Sequence, residues 1–209
     1  MSKRAQHREE MERRIIEVAE GHLATKGAAA LSLRAVASDA GIVPSAIYRY
    51  FNGLDQLITA LIVRSYRDQT EFVTSQVGDF EDPADWDAAT SVVLDIARAV
   101  RAWALANPHR YALVYGSPIP GYRAPEETID AASGVGRLLL RSVGFVWPGG
   151  PIPEEGIALW SAIYGLVSFE LFGHLEGSVP QEEREGFFLR AVRREVGVLR
   201  RGLEGTREP

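Results

Sequence analysis

The 209 residues include no cysteine, which excludes disulfides, thiolate metal sites and cysteine nucleophiles. Long hydrophobic runs are also missing. The longest uncharged apolar stretch, Gly156 to Phe169, is too short for an ordinary bilayer span. The N-terminus opens with Lys3, Arg4 and Arg8 and continues into acidic residues, with no apolar signal core behind them. A cytoplasmic protein that does not enter a membrane is expected. His7, His22, His109 and His174 show no HxxxH or HxxE spacing with companions that would suggest a metal site. Ser117, inside Gly116 to Gly121, lacks the GxSxG spacing of a nucleophile elbow, and no Gly-rich phosphate loop is present. With no convergent acid, base or nucleophile, the sequence argues against an enzyme and implies no cofactor.

Sustained period-two alternation is absent too, and so is any internal repeat. Apolar residues instead recur at three-to-four spacing, which predicts an all-α chain of roughly nine helices. The first runs from about Gln6 to Lys26, with Ile15, Ile16, Ala19, Leu23 and Ala24 on one face and Gly27 as its stop. After two short segments, a helix over about Leu54–Val77 has no internal Gly or Pro and would link a head, residues 1–53, to a body, residues 54–209. In the body, helices are expected over about Trp86–Ala106, His109–Tyr115, Pro125–Val143, Glu154–Leu175 and Gln181–Leu203. Asn107-Pro108 ends the first of these, and a loop at Gly144–Pro153 holds Phe145 and Trp147.

The net charge is −5, but it is unevenly spread. Residues 1–52 hold eight Lys/Arg against six Asp/Glu, whereas the remainder holds 15 against 22. A mildly basic head on an acidic body suits a protein whose head alone touches DNA.

The most informative stretch is Leu31–Leu57. Leu33, Val36 and Ala37 mark one face of a short helix, Ser32 stands at its N-cap position, and Gly41 follows Ala40 where the helix must stop. Pro44 suits the first position of a second helix. There Ile47 and Phe51 lie four apart and point inward, leaving Ser45, Tyr48 and Arg49 facing out. Two such helices joined by a short glycine-containing turn make a helix-turn-helix, which lays its second helix in the major groove of double-stranded DNA.

Residues 10–60 resemble the TetR-like family of bacterial transcriptional regulators, through Ser32, Leu33, Ala37, Ala40, Gly41, Ile47, Tyr48, Phe51 and Leu57. The body resembles one C-terminal domain type of that family, through Asn107-Pro108, Trp160, Tyr164-Gly165 and Glu170, although that type usually carries histidine where Tyr164 stands. Two positions depart in the head. Val43 stands where the family often has a capping serine or threonine, and Leu54 where it commonly has a phosphate-contacting lysine. Lys3, Arg4 and Arg8 are candidates to position the head instead. Carried over position by position, the resemblance implies that Ser32 and Arg34 approach DNA from the first short helix. Pro44, Ser45, Tyr48, Arg49 and Tyr50 would approach it from the second. Arg49 suits a bidentate pair to guanine or a phosphate, the two tyrosines suit phosphates, and Pro44 offers an apolar surface to a thymine methyl.

Family bodies of this kind usually hold a small-molecule effector. Trp103, Tyr111, Tyr115, Trp160, Tyr164, Phe169 and Phe172 are candidates to line such a pocket, though core packing explains any one of them, and a largely apolar effector would suit them. In the last helix Leu189, Val192, Val196, Leu199 and Leu203 form a narrow seam suited to another helix, and the helix before it is apolar nearly all round. Together they predict a homodimer related by a two-fold axis. The expectation is a ligand-responsive homodimeric repressor. An all-α enzyme and a protein-interaction module that does not bind DNA are the rivals.

Overall fold

Glycine punctuation sets where the helices end. Gly41 has φ +76°, its N–H donates to the Ser38 carbonyl at 3.0 Å, and the Ile42 N–H donates to the Ala37 carbonyl at 3.0 Å. This paired closure satisfies the last carbonyls of a helix and needs a left-handed residue, which glycine supplies without steric cost. Gly173, with φ +83°, closes a later helix in the same way: its N–H reaches Glu170, and that of His174 reaches Phe169.

The computed structural model describes residues 3–144 and 154–205, and only the backbone of residues 155 and 203–205. Among the described residues there are nine α-helices and no strands. They are α1 (Lys3–Lys26), α2 (Leu33–Asp39), α3 (Leu54–Val77), α4 (Trp86–Ala106), α5 (Pro108–Tyr115), α6 (Glu127–Ala132), α7 (Gly134–Ser142), α8 (Glu154–Leu171) and α9 (Arg184–Gly205). The all-α expectation holds. The single helix expected over 125–143 is two, divided at Ser133. A side chain on Gly134 would collide with Thr70 of α3, so the backbone comes close to α3 where the helix breaks. The helix expected to reach Leu175 stops at Leu171 because of Gly173. The expected loop at 144–153, with Phe145 and Trp147, lies outside the described residues apart from Gly144.

The chain divides into two compact units, and neither is contiguous. The first comprises the residues up to Tyr66 together with His109–Ala131, and the second comprises Arg67–Pro108 with Ala132 onward. The division therefore differs from a cut at 53/54. Leu57, Ile58, Leu61 and Ile62, from the first half of α3, join Ile15, Val36 and Ile47 in one apolar cluster, and Leu113 of α5 returns to it. The first half of α3 is core for the head. In the second unit α4 packs on α7, α8 and α9, burying Val93, Ile96, Val100 and Trp103 at the i, i+3, i+7 and i+10 spacing of an amphipathic face. No helix among the described residues is long and apolar enough to cross a membrane.

Candidate nucleic-acid interface and body sites

α2 begins after Ser32, whose extended backbone (φ −140°, ψ 122°) lets its carbonyl accept the Val36 N–H at 2.9 Å. The Ser32 hydroxyl, which the sequence suggested as a cap, makes no capping hydrogen bond and stays exposed with Arg34. Past Gly41 the second element is not the α-helix expected from Pro44. It is a turn over 44–46 that runs into a 3₁₀ turn at Ile47–Arg49. Its N–H groups reach back three residues: Ala46 to Val43 at 2.8 Å, Arg49 to Ala46 at 3.1 Å, and Tyr50 to Ile47 at 2.9 Å. Only Phe51, which also donates to Ile47 at 3.0 Å, closes an α-type ring before Asn52-Gly53 interrupts the chain. An element this short cannot propagate an α-helix, and tertiary packing fixes it instead. Ile47 and Phe51 are its anchors, both buried.

On the opposite side Pro44, Ser45, Tyr48 and Arg49 are exposed, Tyr48 by 57%. Tyr50 is half-buried against the apolar cluster, so its ring does not stand free as the others do. Lys3, Arg4 and Arg8 are exposed on the first turns of α1, where Arg8 pairs with Glu12 at 2.8 Å.

Four contacts within the first unit have no local signature in the sequence. His22 of α1 is buried, and its Nε2 lies 2.7 Å from Asp39 Oδ2 at the end of α2, tying the two helices together. The Arg14 guanidinium lies beside Gly41, with Nη2 3.3 Å from where a Cβ would stand. Glu20 receives both Arg64 at 3.2 Å and Arg110 at 3.0 Å. Each joins residues 17 to 90 positions apart, beyond the reach of helical spacing.

The aromatic candidates do not form one set. Tyr111 and Tyr115 belong to the first unit, where Tyr115 meets Tyr111 at a tilt (centroids 5.0 Å) and Tyr66 edge-on (5.8 Å). Burial pushes the Tyr66 phenol above its ordinary range. Trp103, Trp160 and Tyr164 belong to the second unit. There Trp103 Nε1 donates to Asp68 at 2.8 Å, and the Tyr164 hydroxyl donates to Gln69 Oε1 at 3.1 Å. Trp160 lies edge-on to Tyr164 at 6.0 Å. Phe169 does not line an interior. It is 55% exposed, and its ring leans on His174 at 5.1 Å. Five residues along a helix carry it about 140° round from Tyr164. Phe172 is exposed as well.

The seam of α9 is occupied within the chain. Val192, Val196 and Leu199 are buried and Leu189 is half-buried, on a helix that packs against α4 and α8. The Leu203 side chain lies outside the described residues. The apolar surface left open is on the other side of the pair: Ile157, Phe169 and Phe172, with exposed Ala158, Ser161 and Gly165 between them on α8, and Val198 on α9. A groove of about 140 Å³ lies there, lined by Ala158, Leu159, Glu195, Val198, Leu199 and Gly202.

Two family models match the chain. Residues 15–61 match bacterial regulatory proteins of the tetR family, and residues 93–194 match the tetracyclin repressor-like C-terminal domain. An HTH-type transcriptional regulator of Mycobacterium tuberculosis is 36% identical, over 83% of this chain and 86% of the relative. The crystal structure of a protein described as regulatory superposes with a TM-score of 0.73 at 30% identity, covering 93% of this chain and 98% of the other. The fold is also that of RolR, solved in complex with resorcinol, at a TM-score of 0.56 and 16% identity over 92% of this chain and 90% of that one.

Proposed function

The chain belongs to the tetR family of bacterial regulatory proteins, a transcriptional regulator with a DNA-binding helix-turn-helix rather than an enzyme, and from that premise we propose that it is a cytoplasmic, homodimeric repressor released from its operator by a small, largely apolar effector. The observation that carries the DNA-reading part is the division at 44–51. Ile47 and Phe51 anchor the element, and Ser45, Tyr48 and Arg49 are presented to solvent. Arg49 donates to guanine or to a phosphate, Tyr48 and Tyr50 to phosphates, and Ser32 and Arg34 to the backbone from the start of α2. Two copies place two such elements in successive major grooves of a palindromic site, with half-sites about 34–36 Å apart.

The dimer is held by the last two helices, through the exposed face of Ile157, Gly165, Phe169 and Val198 rather than the buried seam at Val192, Val196 and Leu199. The small Ala158, Ser161 and Gly165 allow another helix to approach closely. The bound resorcinol of RolR supports a small aromatic compound as the kind of effector, with Trp103, Trp160 and Tyr164 of the second unit as candidate contacts. Such a compound releases DNA only if it binds the released form more tightly than the bound form.

The test is selection of duplexes from a random pool by the full chain, followed by binding titrations of the selected duplex over a salt series. A palindromic preference, and an affinity that falls steeply as salt rises, are expected. Binding without sequence preference, or no binding, would overturn the reading. Adding small phenols to the complex then tests release.

A further inference from the structure

Val43 is the most exposed large apolar side chain among the described residues, at 66%. It opens the turn that leads through Pro44 and Ser45 to Tyr48 and Arg49. The Val43 carbonyl accepts the Ala46 N–H at 2.8 Å, so the turn closes without a capping hydroxyl. A β-branched side chain on a fixed backbone has little rotamer freedom, so the isopropyl group is held in place before any partner arrives. The core of this unit is filled by Val36, Ala37 and Ile47. Val43 contributes little to it and leaves an apolar surface in water, one and two positions before the exposed Pro44 and Ser45.

Phosphates offer such a group nothing. Of the base edges in the major groove, only thymine presents an apolar group, its C5-methyl. Building on the DNA-reading function proposed above, we propose that Val43 is a specificity determinant that packs against one thymine methyl in each half-site and selects thymine there.

The test uses the full chain and the duplex it selects from a random pool. Each thymine of a half-site is replaced in turn by deoxyuridine, which lacks only the methyl. One position is expected at which the replacement weakens binding by about fourfold per half-site, the return on burying one methyl-sized apolar group. Val43→Ala should bind the thymine and deoxyuridine duplexes alike, with its helical circular dichroism and melting unchanged, because the side chain is mostly in water. Pro44→Ala should retain the discrimination. The assignment is overturned if the wild type is indifferent to every replacement, if Val43→Ala still discriminates, or if discrimination is lost with Pro44 instead. Should no preferred duplex emerge at all, the DNA-reading function fails first, an outcome distinct from a selected duplex with no methyl effect.

Discussion

Arg101 and Glu170 meet as a fork on a fork: Nε donates to Oε2 at 2.7 Å and Nη2 to Oε1 at 2.6 Å, joining α4 to α8. Glu170 is 6% exposed and Arg101 13%, so both charges have left water, and Glu185 of α9 adds a longer contact at 3.5 Å. A pair of this kind adds little net stability over apolar residues of the same shape, but it is costly to break from one side. Glu170→Ala should destabilise the protein by about 3 kcal/mol in denaturant unfolding, because Arg101 is left largely buried with only its longer contact to the exposed Glu185. Replacing both, with Arg101→Met and Glu170→Leu, should recover most of that loss. Equal losses in the single and double variants would mean that packing, not charge, is what Glu170 supplies.

Gly41 is the other position where one atom decides. Its φ of +76° disfavours any side chain, and a Cβ would stand 3.3 Å from Arg14. Gly41→Ala should cost about 1–2 kcal/mol of stability, read from chemical unfolding. Gly21→Ala, in the middle of α1 with nothing near the added methyl, should instead stabilise by up to about 1 kcal/mol. A neutral Gly41→Ala would show that the turn reshapes without strain.

Arg49→Ala should weaken operator binding by about 1–3 kcal/mol and relax the preference at one base pair, if its contact is bidentate to guanine. Equal weakening on operator and random duplex would reassign it to phosphate. Tyr48→Phe should weaken both kinds of DNA alike and leave unfolding unchanged, since the ring is already in water.

How much of this was legible beforehand follows from the range of each interaction. Gly27 and Gly41 end their helices where the sequence placed the stops, and Ile47 and Phe51 point inward as their spacing indicated, because capping and periodicity are local. The 3₁₀ character of 47–49 was not legible, since Pro44 is a good first residue for either helix and the length that an anchored element reaches depends on what it packs against. The break at Ser133 was hidden for the same reason: Gly134 is needed because of Thr70, more than 60 positions earlier. Phe169 shows the limit of composition, for an aromatic residue on an all-round apolar helix carries no mark of which side it faces. The pairing of Glu20 with Arg64 and Arg110 lies outside anything periodicity encodes.

His109 titrates below its ordinary value of 6.5, first because it is partly buried and then because Arg110 is adjacent, with Glu20 opposing. A lowered value means that the unfolded chain takes up the proton before the folded one. Stability should therefore be fully present above pH 6.5 and decline as the pH falls through that value. His109→Gln should flatten the slope below pH 6.5 in melting experiments. A slope unchanged by the substitution would assign the acid sensitivity to other groups.

The two sides of the last helices make opposite predictions when charged. Val196 and Leu199 are buried within the chain, so changing both to Glu places charge in the core, where an unpaired carboxylate costs several kcal/mol. That variant should unfold or melt far below the wild type, whatever its oligomeric state. Phe169 and Val198 are mostly in water in the single chain, so changing both to Asp should leave helical content and monomer stability nearly intact. In a dimer built on that face, the same change sets like charges against their symmetry mates and removes apolar area from the centre of the contact. Sedimentation should then show a folded monomer, and operator affinity should fall because one head must bind without its partner. Gly165→Trp is a second, uncharged probe of the same face. Its site is open in the single chain, so only a partner helix pressed against it would object. If the Phe169→Asp, Val198→Asp variant sedimented as a dimer with normal operator affinity, the contact between copies would lie away from α8 and α9.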